Sequence, residues 1–149
     1  MRIKSLKLEE VKEEIYVLAK KLMTWDQPFP DFETRQPNIL ESCLAVPFQT
    51  FSKKELYRGL IGKAAILFYL MNKNHPFFNG NKRMAVVTLL FFLEKNNKNI
   101  KVSPEEFYKF SLWVAESNPK LKKSVVMAIE EFLGKNIIDL KIREKYWIK

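Results

Sequence analysis

Residues 56–93, LYRGLIGKAAILFYLMNKNHPFFNGNKRMAVVTLLFFL, decide the fold. Leu56, Leu60, Ala64, Leu67 and Met71 recur at steps of three and four, the spacing that aligns side chains on one face of a helix. Ser52-Lys53-Lys54-Glu55 just upstream has the form of a capping box, so the spacing predicts a long helix starting there. A break follows over Asn72–Asn81, containing Pro76 and Gly80. Arg83–Leu93 is then apolar almost all round, which predicts the buried central helix of the fold.

The flanks agree. Upstream, Leu8, Val11, Ile15, Leu18 and Leu22 form the stripe of an amphipathic helix that should end before Pro28. Residues 24–37 hold three prolines without periodicity and read as a loop, and Asn38 is placed to cap a short helix up to Pro47. Downstream, residues 95–99 should fray. Ser103, Pro104 and Glu106 make a second capping box before an inward face of Phe107, Phe110 and Val114. After Pro119, Leu121, Val125, Ala128 and Phe132 form the last stripe, with Gly134 as its stop. No segment has the period of a strand and no repeat is present. The class is all-α, in a single domain over 1–149, ending in a basic segment at 135–149.

The 149 residues are 47% hydrophobic and 29% charged, which excludes disorder and low complexity. A chain of this length buries about two-thirds of its unfolded surface and needs no staple. One cysteine and one histidine exclude an internal disulfide and the usual structural zinc sites, so no metal ligands are assigned. The net charge of +9 is spread among acids along most of the chain and reads as a solvated surface. The apolar runs are too short to span a bilayer, and Met1-Arg2-Ile3-Lys4 leads straight into a charged stretch rather than a secretory signal. The expected place is the cytoplasm, without a membrane partner.

The break carries the candidate chemistry, Asn74 to Arg83, NHPFFNGNKR. Gly80 admits backbone conformations closed to other residues, so a ligand can approach it. Asn81, Lys82 and Arg83 stand at the mouth of the buried helix, where free N–H groups and the helix dipole favour an anion. Arginine grips phosphate oxygens with a planar fork and lysine adds a point charge. His75, the only histidine, is able to take a proton from an attacking hydroxyl. The bland reading of the same residues is a helix terminator followed by an Asn-Gly turn.

His75-Pro76-Phe77-Phe78-Asn79-Gly80-Asn81-Lys82-Arg83 resembles the signature of the Fic/Doc (Fido) family, H-x-F-x-[D/E]-[G/A]-N-[G/K]-R. Lys82 before the arginine and Met84-Ala85 after it look like the Doc (death-on-curing) branch. RQPNILESCLAVPFQTF at 35–51 and the helix at 56–74 extend the likeness over roughly 34–100. The resemblance implies a compact all-α bundle and a toxin that transfers the terminal phosphate of ATP to a Ser/Thr hydroxyl of a translation factor such as elongation factor Tu. The alternatives are an AMP-transferring Fic protein or a catalytically degenerate module that binds nucleotide or a partner. By resemblance His75 is the general base, Phe77 anchors the loop, and Asn79, Gly80, Asn81, Lys82 and Arg83 hold nucleotide phosphates. Pro47, Phe48, Gln49, Thr50 and Phe51 form the flap that aligns the target chain by main-chain pairing.

Several positions depart from the pattern. Asn79 stands where the family has the acid that binds magnesium, a cation that prefers charged oxygens, so Mg2+ binding is weakened and the implied enzyme is slow or silent. Val86 falls where AMP-transferring members carry a second arginine, which agrees with the Doc branch. Gln36 and Val46 replace an acid and a base. Asn79-Gly80 is also prone to deamidation, which would restore an acid. The family's inhibitory pattern [S/T]-x-x-x-E-[G/N] is absent, which implies restraint by a separate antitoxin. In the tail, Lys135, Lys141, Arg143, Lys145 and Lys149, with Tyr146 and Trp147, suggest nucleic acid only weakly, because Asp139 and Glu144 are interspersed. Cys43 reads as a buried free thiol, and Trp25, Trp113 and Trp147 as packing.

Overall fold

The computed structural model describes residues 2–22 and 28–140. Among the described residues, six helices make the body, with four very short strands. Helix α1 runs continuously through Leu8–Glu10, a π-helical turn Val11–Ile15, and Tyr16–Lys21. It is followed by α2 (Ile39–Ala45), α3 (Gly59–Lys73), α4 (Asn81–Lys95), α5 (Pro104–Glu116) and α6 (Lys122–Asn136). Strands β1 (Thr50–Phe51) and β2 (Lys54–Glu55) form one antiparallel hairpin. Strands β3 (Lys98–Ile100) and β4 (Ile137–Asp139) pair antiparallel and tie the end of α6 to the end of α4.

Helix α4 is the axis, as its largely apolar sequence predicts. Every residue from Arg83 to Leu90 is buried, and Phe92 and Leu93 with them. Helix α3 packs along it, α5 packs on both, and α6 packs on α3. Phe68, Phe77, Phe92 and Phe107 are among the largest fully buried side chains, each contributing about 1.5–3 kcal/mol by leaving water. The π turn in α1 shifts its facing side, so that Tyr16 and Ala19 join Val11 and Ile15 inside. Beneath the α3–α4 junction, the buried Ser111 hydroxyl donates to Asn72 Oδ1 (2.7 Å), with the Lys82 carbonyl as a second acceptor at 3.3 Å. This link pins the start of α4 to α3 and α5.

Several local expectations are corrected. Ser52–Glu55 is no capping box: Ser52 and Lys53, with φ of 51° and 65°, are the two central residues of the β1–β2 hairpin. Two positive φ values in a two-residue loop match the right-handed twist of the strands, and this pairing displaces the helix start to Gly59, itself at φ 66°. Leu56 is therefore exposed rather than on a core stripe. In α6 the inward face is Val125, Ile129 and Leu133. Leu121 sits outside it in the turn Pro119–Leu121, and the helix passes through Gly134 to Asn136. Asn38 precedes α2 but in a left-handed conformation (φ 69°), with no side-chain cap. The Ser103 hydroxyl does cap α5, accepting from the Glu106 amide at 3.2 Å. Among the described residues no helix is long and apolar enough to cross a membrane. Trp25, Trp147 and the tail beyond residue 140 lie outside the described residues.

Candidate functional site

Residues 74–80 link α3 to α4. His75 sits in this link with its side chain exposed and a φ of 48°. A left-handed residue directly before proline costs roughly 1–3 kcal/mol and persists only where neighbours impose it. Two residues do so. The Gln36 backbone N–H donates to the Pro76 carbonyl (2.9 Å), and Gln36 Nε2 donates to the His75 carbonyl (2.8 Å). From inside, Asn81 Oδ1 accepts from the Phe77 N–H (2.9 Å) while its Nδ2 donates to the Phe77 carbonyl (2.7 Å). The Phe77 ring is buried against Tyr16 and Phe32, with centroids at 5.8 and 5.9 Å. Asn81 Nδ2 also stands 3.5 Å from His75 Nδ1, at the outer limit of a hydrogen bond.

Gly80 opens α4 at φ 77°. The first amides of a helix have no intrahelical acceptor, so those of Asn81, Lys82 and Arg83 form the positive end of the α4 dipole. Phe29 lies on top of this end. A Cβ at Gly80 would come within 1.8 Å of Phe29 Cε1, so glycine is needed there for contact as well as conformation. The Arg83 guanidinium is beneath the same ring, Cζ 3.9 Å from its centroid, and Nη1 donates to the Leu22 carbonyl (3.1 Å). Arg83 is only 3% exposed. Phe29 in turn stacks on Tyr16, whose hydroxyl is held above the usual tyrosine range by burial and by nearby Asp31, against the pull of Arg83. Lys82 is half-buried, and Phe78 and Asn79 are exposed.

The five residues expected as a flap divide in two around the exposed Gln49, whose carbonyl accepts from the Leu56 N–H (3.2 Å). Pro47 is buried and Phe48 half-buried in a short turn, Val46–Phe48, with the Phe48 ring edge-on to Phe92. Thr50 and Phe51 form β1, with Phe51 73% exposed, and the hairpin extends the flap to Glu55. Its base is held by Lys63, which reaches out of α3 with a side chain only 3% exposed. Lys63 Nζ donates to the Tyr57 carbonyl (2.6 Å), pairs with Glu55 (3.2 Å) and faces the Phe48 ring (5.6 Å).

Sequence reasoning named His75, Asn81 and Arg83, which the structure brings to one junction. It missed Phe29, Tyr16 and Lys63, and it noted Gln36 only as a departure. Lys63 had a signal: it is the single charge in the run from Leu60 to Met71. The partners of Phe29 are distant in sequence and left none.

The resemblance implies a magnesium ligand at position 79. Asn79 offers a neutral amide, and no group of three His, Cys, Asp or Glu able to hold a metal exists among the described residues. Cys43 is fully buried, and burial pushes its thiol up to about 12, which makes it inert. Trp113 is half-exposed and stacks on Phe110 (5.7 Å) at the rim of the α5–α6 aromatic cluster.

Fold and junction together define a mostly-α protein that carries a histidine loop on the N-terminus of its buried helix. The model of the Fic/DOC family matches residues 7–93, and the chain belongs to that family. Members generally transfer nucleotide or phosphate groups to proteins. No curated protein and no solved structure matches the chain.

Proposed function

We propose that the protein is a Doc-type toxin that moves the terminal phosphate of ATP to a Ser/Thr hydroxyl of a cytoplasmic translation factor, with a separate antitoxin as its restraint. The observation that carries this reading is the clamped junction of His75 with Lys82 and Arg83 at the N-terminus of α4. His75 takes the hydroxyl proton, the oxygen attacks the γ-phosphorus, and the bond to ADP breaks. The target segment adds as a strand beside the β1–β2 hairpin. Val86 is fully buried in α4, which leaves no second arginine at that position and favours phosphate over AMP transfer.

A second reading is a nucleotide- or partner-binding module without catalysis. It is favoured by Asn79 and by the burial of Arg83 beneath Phe29.

The deciding experiment incubates wild type, His75→Ala and Asn79→Asp with cell lysate, magnesium and ATP labelled at the α- or the γ-position. γ-label on a protein band from wild type, lost in His75→Ala, supports the kinase reading. α-label replaces it with AMP transfer. Label from Asn79→Asp alone, or nucleotide binding without any label, supports the binding module.

A further inference from the structure

We propose that Gln36 is the positioning residue of His75. Its amide side chain and its backbone N–H grip two successive carbonyls and thereby set where the imidazole points. This rests on the reading of His75 as the proton acceptor.

The argument begins with the ring. Its hydrogen-bond contact among the described residues is the 3.5 Å approach of Asn81, too long to fix an orientation. The aim of the imidazole is therefore inherited from the backbone, which at His75 stands in the left-handed region. The carbonyls of His75 and Pro76 belong to the two peptide planes that follow His75 Cα. Gln36 bonds both, at 2.8 and 2.9 Å, from a segment thirty-nine residues away in sequence. Asn81 fixes the next residue, Phe77, from the opposite side. The loop is gripped at three consecutive residues, and two of the three grips are Gln36.

The chemistry at 36 is specific. A carbonyl oxygen accepts, so its partner must donate. A glutamine amide donates, whereas an ionised carboxylate accepts only. Gln36 is exposed and fills no part of the core. Deleting its side chain leaves the His75 carbonyl to water, which replaces the bond at little cost to folding. The aim of His75 is what suffers, and small misplacements of a catalytic group reduce turnover steeply. A scaffold residue and a positioning residue are thus separable.

The test uses the full chain, with Gln36→Ala as the deciding variant and Gln36→Glu as an isosteric second. His75 is the only histidine, so the imidazole Cε1–H and Cδ2–H signals in an NMR spectrum report on it alone. The expected result is that these signals shift and broaden in both variants, while the melting temperature stays within about 3 °C of wild type. In the γ-label assay, kcat falls about tenfold or more with KM for ATP unchanged. Imidazole signals that coincide with wild type in Gln36→Ala overturn the proposal. So does unchanged kcat in an active enzyme, or a fall in activity that tracks a loss of stability. If wild type transfers no label, the functional reading has failed, and the NMR comparison alone decides the role of Gln36.

Discussion

The Phe29 ring lies over the Arg83 guanidinium, 3.9 Å from centroid to Cζ, and the same ring fills the space beside Gly80. One aromatic side chain therefore covers both the backbone and the side-chain donor of the phosphate cradle proposed above. On the proposed reading, a phosphate approaching Arg83 from the side of this ring displaces it, and the contact the ring loses opposes binding. Cation–π contacts of this kind contribute roughly 0.5–2 kcal/mol. Since 1.4 kcal/mol is a factor of ten in affinity, Phe29→Ala should tighten ATP binding by about tenfold. It should also lower the melting temperature by several degrees, because half-buried packing on Tyr16 is lost as well. Calorimetric titration with ATP checks this, and an affinity equal to or weaker than wild type would show that Phe29 is not the cover.

How far the sequence went follows from how local each feature is. The burial of α4 was legible because a helix apolar almost all round has only one stable place. The histidine loop was legible because its residues are contiguous. The hairpin at 50–55 was not, because Ser52-Lys53 carries none of the Asn or Gly that usually marks a turn with two positive φ values. Its serine and glutamate mimic a helix cap instead. Phe29 and Gln36 act on partners about forty to fifty residues away, and pairings at that distance leave no pattern in a single chain. Tyr16 escaped because the π turn breaks the three-and-four spacing on which the stripe was read.

Acid should loosen the attachment of α1 to α4. Burial raises the Glu10 carboxyl, but the Lys95 hydrogen bond (2.6 Å), the Lys7 amide (2.8 Å) and the charges of both lysines outweigh it and hold the group below its ordinary 4.5. A carboxylate depressed by folding adds stability above its unfolded value and loses it as pH falls through the folded value. Denaturant unfolding of wild type and Glu10→Gln should therefore show a gap at pH 7 that closes between about pH 5 and 3. A gap that does not depend on pH would mean that the carboxylate charge contributes nothing. Asp139, lowered by Lys98, and Glu33, lowered by Lys12, shift in the same direction, so the Glu10→Gln variant keeps some acid sensitivity too.

Lys63 holds the hairpin from inside α3, and its removal should release the flap without opening the core. Its partners are a backbone carbonyl and the exposed Glu55, so the loss is less than that of a fully buried ion pair. Lys63→Met keeps the aliphatic stem and removes the donor. The Tyr57 carbonyl then lacks its partner, at a cost of about 1–3 kcal/mol. For a chain of this size that corresponds to a fall in melting temperature of roughly 3–10 °C. Amide hydrogen exchange locates the effect: protection should drop at Thr50–Glu55, while α4 amides keep protection up to the lowered global stability. Equal loss of protection across α4 and the hairpin would mean that Lys63 supports the whole fold rather than the flap. If the hairpin loosens selectively, labelling of a protein target should fall with it while ATP affinity stays constant, because Lys63 touches the hairpin and not the proposed phosphate cradle.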